Sequence, residues 1–499
     1  EWKRDPLFAT LPEKYQSAPW FEKLEDKSYD HDLDADFLEE VTWLRDISNH
    51  ARGRERDDLA VATALFDWTI RNIQLIDPPK PQSPVQQALL DQVLRRVPAE
   101  VLLQGEGVAA QRAWVFVLLG RQQKLDIVML AVPDPDRPDQ PRPWLPALVH
   151  DGQLYLFDTT LGLPIPGPGG KGIATLTQAA EVESVLASLD LDESHHYPFK
   201  ATEAKQAMAL VEASPGYLSR RMKVLESQLA GDERVVLTAS PEQIARRLKG
   251  IPHLAPEVKL WAAPYEAYAQ RQLEKTGPRQ FKELLALEMA PFKVPGFHGS
   301  RSTMMKPGER QEALDELVRQ GENQIDSRKT VVSRPLRIVF PLWAGRLLHF
   351  RGDYDGESGA KHFYMMARPG NDQLGEHVAE LVSDYQIANE QAAPRDIIQK
   401  YDRVVFRRKQ NATYWLGLIS FDEGQYQTAE DYFRMAPLEI RPDVPSQWIA
   451  GAKYNLARAC EAAGRSAEAI KLLEEDDSPQ RYGNRLRARR LKEAAKATP

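Results

Sequence analysis

The sequence predicts an α+β region followed by an all-α region, and three observations predict it. Apolar residues recur with a helical period as far as about Gln122. The period then shortens to strand-like runs around Asp151-Gly152. Near the C-terminus a Trp-x-Gly…Gly-x-Tyr pattern occurs twice. At 499 residues the chain is too long for one core. Its divisions are expected at residues 1–200, 201–335 and 336–499.

In the first division, Asp57 and Asp58 are placed to cap a helix whose apolar face includes Leu59, Ala62, Leu65, Phe66, Ile70 and Ile73. A stiff Asp77-Pro78-Pro79-Lys80-Pro81 linker follows, then a helix from Val85 to Leu94. Leu102 to Gly107 reads as a glycine-bearing turn opening a helix from Ala109 to about Gln122, with Ala113, Phe116, Val117 and Leu119 on its buried face. Asp126 to Val132 is a short apolar strand. Six prolines from Pro133 to Pro146 then predict a loop of extended backbone. Ala147–His150 and Leu154–Phe157 flank the Asp-Gly turn as a hairpin. Ala174 to Leu189 reads as a helix capped by Thr175 or Thr177.

The order helix, glycine turn, helix start, strand, hairpin resembles the transglutaminase-like (papain-related) superfamily over about Leu59 to Gly167. The motifs that carry the resemblance are Leu65-Phe66-Asp67-Trp68-Thr69-Ile70-Arg71-Asn72-Ile73, Gly107-Val108-Ala109 followed by Ala113, and the strand Gln153 to Phe157 ending in Asp158-Thr159-Thr160. In that family a cysteine at the helix start, activated by the helix dipole, works with a histidine on the next strand and an aspartate. Here the cysteine position falls on Ala109, and the histidine position falls on Pro143-Trp144-Leu145. Only Asp158 is kept, and an isolated aspartate at a strand end is ordinarily a structural acceptor. The resemblance therefore implies a pseudoenzyme with no catalytic residues. Its former cleft, bordered by Ala109, Arg112, Trp144 and Asp158, is expected to keep the shape of a polypeptide groove.

Other candidates for chemistry are weaker. His150 precedes the turn and reads as a turn histidine. Cys460 is the single cysteine, so no internal disulfide can form, and it lies far from the helix start. The glycine-rich run Gly162 to Gly172 lacks the spacing of a phosphate-binding loop, and no Gly-x-Ser-x-Gly motif occurs. His195 and His196 beside Asp192 and Glu193 are consecutive residues that point apart, so no metal site is expected, and no cofactor is implied.

The second division reads as an α/β segment. A helix from Glu203 to Leu229 precedes an internal echo, in which Val235 to Pro241 recurs as Val258 to Pro264, each a strand running into a proline-started helix.

In the third division, Trp343, Gly345, Gly352 and Tyr354 recur as Trp415, Gly417, Gly424 and Tyr426. Downstream, Ala360, Tyr364 and Ala367 recur as Ala429, Phe433 and Ala436, and a looser copy holds Leu456, Ala457, Gly464, Ala469 and Leu473. Small residues let paired helices approach, aromatics fill the space beside them, and glycine permits the turn. The pattern resembles the tetratricopeptide repeat (TPR) over about Leu336 to Asp476. The spacing leaves room for one more helix pair in His377 to Lys409. Such an array implies a helical solenoid with a protein- or peptide-binding concave face, or one packed against its own neighbouring domain.

Net charge is −7, but the tail from Arg481 carries +6, leaving −13 on the rest. An acidic body argues against nucleic-acid binding. The tail reads as a capping helix with a solvated basic face. No apolar run reaches the roughly 18 to 20 residues that span a bilayer. Because the sequence opens on Glu1, a removed signal or anchor is expected, and with it a periplasmic or otherwise extracytoplasmic place in the bacterial cell envelope. The function expected from all this is non-catalytic protein binding or scaffolding, with membership of a larger assembly as one form of it. The alternative is a transglutaminase- or peptidase-type enzyme whose nucleophile is not a thiol or lies elsewhere.

Overall fold

The computed structural model describes residues 6–18, 23–77, 96–134, 141–276, 286, 288–294, 340–389, 392–438 and 447–497. It is a mixed α/β structure with an all-helical C-terminal region. Among the described residues, helices of seven or more residues are numbered here α1 to α15 in chain order.

The helix α1 (His31–Arg52) precedes α2 (Asp58–Asn72), which starts where the Asp57 carboxylate accepts from the Ala60 amide at 2.9 Å. The short strand β1 (Gln74–Leu75) pairs in parallel with β2 (Glu106–Gly107), which follows α3 (Pro98–Gln104). Gly105 ends α3 in the left-handed conformation, at φ 68°. Next comes α4 (Ala109–Gln122), over the predicted span. The helix expected at Val85 to Leu94 lies outside the described residues.

One six-stranded sheet organises the first half, with β6 (Leu163–Pro164), β5 (Gln153–Asp158), β4 (Arg142–His150), β3 (Ile127–Val132), β7 (Ala207–Val211) and β8 (Leu254–Leu260) in that spatial order. All neighbours are antiparallel except β7 and β8. Asp151 and Gly152 both have positive φ, 49° and 68°, as the tight hairpin turn requires. Strand alternation sends Met129, Leu148 and Phe157 to the face covered by α2 and α4, where Phe66, Phe116 and Phe157 form a ring cluster with centroids 5.2 to 5.3 Å apart. Val128, Leu130, Trp144, Leu154 and Leu156 face the opposite side, against Leu7, Leu11, Leu176 and Tyr265.

Several expectations are corrected. Pro143 and Pro146 lie inside β4 rather than in a loop, opposite Ala131 and Met129. Proline's φ suits a strand, and a register shift on β3 absorbs the missing donors. The expected helix from Glu203 to Leu229 is broken: Ala207–Val211 is the buried strand β7, and α5 (Arg220–Gln228) starts only after Pro215-Gly216. An unbroken apolar run pairs better between two strands than it packs on a one-sided helix. Of the two echo units, the first has no strand, only α6 (Pro241–Leu248). The second is β8 running into α7 (Ala262–Thr276). Thr175 does cap a helix, Leu176–Glu181, but the chain breaks at Val182. Strands β7 and β8 continue the same sheet as β3 to β6.

The C-terminal region stacks α8 (Pro341–Arg351), α9 (Ala360–Ala367), α10 (Leu374–Asn389), α11 (Arg395–Asp422), α12 (Tyr426–Leu438), α13 (Ile449–Ala462), α14 (Ser466–Glu474) and α15 (Arg481–Ala497). Each consecutive pair from α11 onward packs together, as do α8 and α9. Gly345 faces the Tyr364 ring and Gly417 the Phe433 ring, so closely that an added Cβ would stand 2.7 and 2.6 Å from a ring carbon. Gly352, Gly424 and Gly464 turn the chain between paired helices, with φ of 78°, 75° and 78°. Trp415, Ala429, Phe433 and Ala469 are wholly buried, Tyr354 is buried, and Trp343 and Tyr426 are half-buried. The space expected to hold a further helix pair holds α10 and the first half of α11, whose 28 residues run on without a break.

The helical region is not free-standing. Trp43 of α1 packs edge-on against Trp343 at 5.7 Å, and Arg346 donates to the Leu102 carbonyl at 2.8 Å. Arg71 of α2 pairs with Asp422, and Gln74 bonds both Gln447 and Gly451. No helix among the described residues is long and apolar enough to cross a membrane.

Candidate functional site

Ala109 opens α4, as expected, after Val108 in extended conformation; the Val108 amide donates to the Gln111 carboxamide at 3.0 Å. Its methyl group is half-buried and offers no nucleophile. The hydroxyl of Thr159 donates to the Ala109 carbonyl at 2.9 Å. It is therefore Thr159, the residue after Asp158, that meets the helix start.

Asp158 belongs to the other side of the sheet. Phe157 faces α4, so alternation turns Asp158 away, where it is 3 % exposed. One carboxylate oxygen accepts from the Thr160 and Leu161 amides at 2.8 and 2.9 Å, and the other from the Tyr197 hydroxyl at 2.6 Å. Trp144 donates to that same hydroxyl at 2.9 Å. Burial holds the Asp158 carboxyl above its ordinary range, opposed by these hydrogen bonds. Trp144 stands in the strand where a histidine was sought, and its indole N–H can donate but cannot take a proton. The Trp144–Tyr197–Asp158 chain is thus a satisfied buried network that contains no imidazole.

Arg112 is on the α4 side and is 1 % exposed. Its Nε donates to the Ile73 carbonyl at 2.7 Å, and its Nη1 to the Thr159 carbonyl at 3.2 Å and to Gln480 Oε1 at 2.7 Å. Burial lowers its proton affinity to about 9. The four residues expected to border one groove are therefore divided. Ala109 and Arg112 meet Thr159, while Trp144 and Asp158 meet Tyr197 across the sheet. The start of α15 and the residue before it lie over the Arg112 side: Gln480 reaches Arg112, and Gly483 abuts the Leu161 carbonyl.

Beside Arg112 a small cleft is lined by Arg71, Gln74, Tyr414, Gly451, Tyr454, Asn455, Ser478 and Gln480, with room for little more than a water molecule. Arg71 is matched by Asp67 at 2.8 Å and Asp422 at 2.6 Å, and both carboxyls are held well below the usual range by their guanidinium partners, against burial. Neither Tyr197 nor Gln480 was singled out in the sequence. Each lies tens to hundreds of positions from its partner, and no local pattern joins them.

The remaining candidates separate cleanly. Cys460 is buried in α13, and burial pushes its thiol up to about 11. His150 lies 3.6 and 3.4 Å from the Asp58 and Asp151 carboxylates at the turn. His195 and His196 each bond their own aspartate, Asp192 at 2.8 Å and Asp190 at 3.0 Å. Among the described residues, no group of three or more histidine, cysteine, aspartate and glutamate side chains could hold a metal ion. No protein-family model, curated protein or solved structure matches this chain.

Proposed function

We propose that the protein is a non-catalytic binding or scaffolding protein of the bacterial cell envelope, a pseudoenzyme built from a degenerate transglutaminase-like domain and TPR-like repeats. The observation that carries this reading is Ala109 at the start of α4, with its carbonyl tied to Thr159 and no thiol nearer than the buried Cys460. The arrangement at Asp158 adds support, because its partners are Tyr197 and two amides rather than an imidazole.

The faces of α8, α11 and α13 that an open array would offer to a partner are covered by α1, α2 and α3. The partner surface is therefore the outer one, made by the second helix of each pair. Met365 on α9 and Met435 on α12 are 52 % and 42 % exposed there, and Arg368 on the chain after α9 reaches the Met435 sulfur at 3.6 Å. Adaptable methionines beside a cation suit a protein surface.

The test compares tagged full-length protein with a Met365→Glu, Met435→Glu variant, both isolated from the native source and sized. A complex well above 56.5 kDa that the variant loses is expected. A wild-type chain running at its own mass overturns the scaffold, and amide hydrolysis or amine transfer by the purified chain overturns the absence of catalysis.

A further inference from the structure

The cleft beside Arg112 carries a charge that the protein does not balance. Of the guanidinium groups around it, Arg71 faces Asp67 and Asp422, Arg458 shares Asp67 at 2.8 Å, and Arg487 grips Glu461 through two bonds. Arg112 has only neutral acceptors: two backbone carbonyls and the Gln480 carboxamide. No carboxylate pairs with Arg112 among the described residues. A desolvated cation without an anion is far costlier than a paired one.

We propose that this cleft binds one halide-sized monovalent anion, chloride in ordinary solution, between α4 and the C-terminal helices. The cleft is too small for a nucleotide, and a single-atom ion suits it. The Tyr414 hydroxyl also lines it, and the bond it donates to the Arg71 carbonyl is long, at 3.4 Å. Asn455, on the same wall, keeps a buried Oδ1 without a partner. A water would serve that acceptor yet leave the positive charge unanswered, so charge selects the anion. The bound ion would tie Arg112 to the segment carrying Gln480, and this role is independent of the binding function proposed above.

The test uses the full chain at constant ionic strength, with sodium chloride exchanged for sodium gluconate, whose anion is too large to enter. A saturable rise of about 1 to 3 °C in unfolding temperature is expected with chloride. Bromide should reproduce it, and Arg112→Gln should abolish it. Equal unfolding temperatures in the two salts, or an undiminished chloride effect in Arg112→Gln, overturn the proposal. Should that variant fail to fold, crystals of the wild type soaked in bromide and measured at the bromine edge decide. A peak at the Arg112 guanidinium together with the chloride effect supports the site, whereas no peak, or a peak without stabilisation (an adventitious ion only), overturns it.

Discussion

Gly483 of α15 rests against the backbone carbonyl of Leu161, in the turn that follows Asp158, so closely that no β-carbon fits between them. Two segments more than 300 positions apart thereby meet backbone to backbone, and Gln480 one turn earlier completes the contact through Arg112. Because the obstacle is main chain rather than a flexible side chain, it cannot swing aside. Gly483→Ala is predicted to cost about 3 kcal/mol by overpacking. Gly375→Ala on α10, where an added methyl meets nothing, should be neutral or slightly stabilising. Chemical denaturation of both variants checks the pair, and an undisturbed Gly483→Ala protein would mean that α15 does not dock there.

The repeat glycines act by the same principle against rings. Gly417 lies under Phe433 as Gly345 lies under Tyr364. Gly417→Ala gains helix propensity of about 1 kcal/mol yet must push an aromatic ring aside at a cost of about 1 to 3 kcal/mol, so net destabilisation is predicted. Combining it with Phe433→Leu should recover part of the loss, because the smaller side chain yields the space. Strictly additive losses in the double variant would remove the steric account.

The helical half was legible because its constraints are local. A glycine that must turn, a glycine that must let an aromatic approach and an alanine beside it recur at fixed spacing, and each copy reports the same contact. The Asp151-Gly152 hairpin was legible for the same reason. Strand β7 was not, since Ala207–Val211 sits among good helix formers and becomes a strand only because β3 and β8 flank it. The candidate site was half legible. Ala109 and Arg112 share one helix, and their spacing along α4 puts them on the side that meets Thr159. Trp144 and Asp158 were placed with them by chain order alone, whereas the pleat turns them to the far face. Gln480 and Tyr197 have no neighbour in sequence that announces their role.

Tyr197 offers a test of the buried network that holds Asp158. Its hydroxyl gives a 2.6 Å bond to the carboxylate and accepts from Trp144. Tyr197→Phe removes the donor and leaves the indole N–H unpartnered, predicting a loss of about 2 to 3 kcal/mol. The lost bond favours the charged carboxylate, so the loss should be larger at pH 8 than at pH 4, where protonated Asp158 needs it less. A loss independent of pH would assign the effect to packing instead.

Glu40 of α1 gives the last prediction. The side chain is 3 % exposed, accepting from the Ala99 amide at 3.0 Å and the Tyr268 hydroxyl at 3.3 Å, with no ion-pair partner among the described residues. Burial raises its carboxyl to about 7; Arg271 lowers it and the Glu212 carboxylate adds to the rise. The unfolded chain releases this proton near 4.5, so between about pH 4.5 and 7 the folded protein binds more protons than the unfolded one. The favourable contribution is full below pH 4.5 and is lost as pH rises through 7, up to about 3 kcal/mol. The neighbouring Asp67 and Asp422 have the opposite slope, but theirs belongs to lower pH and is common to wild type and variant. Glu40→Gln keeps an acceptor for Ala99 without the titrating proton. Its stability relative to wild type should rise steadily from pH 4.5 to 8 in denaturant titrations, and a constant difference across that range would show that Glu40 keeps its charge in the core.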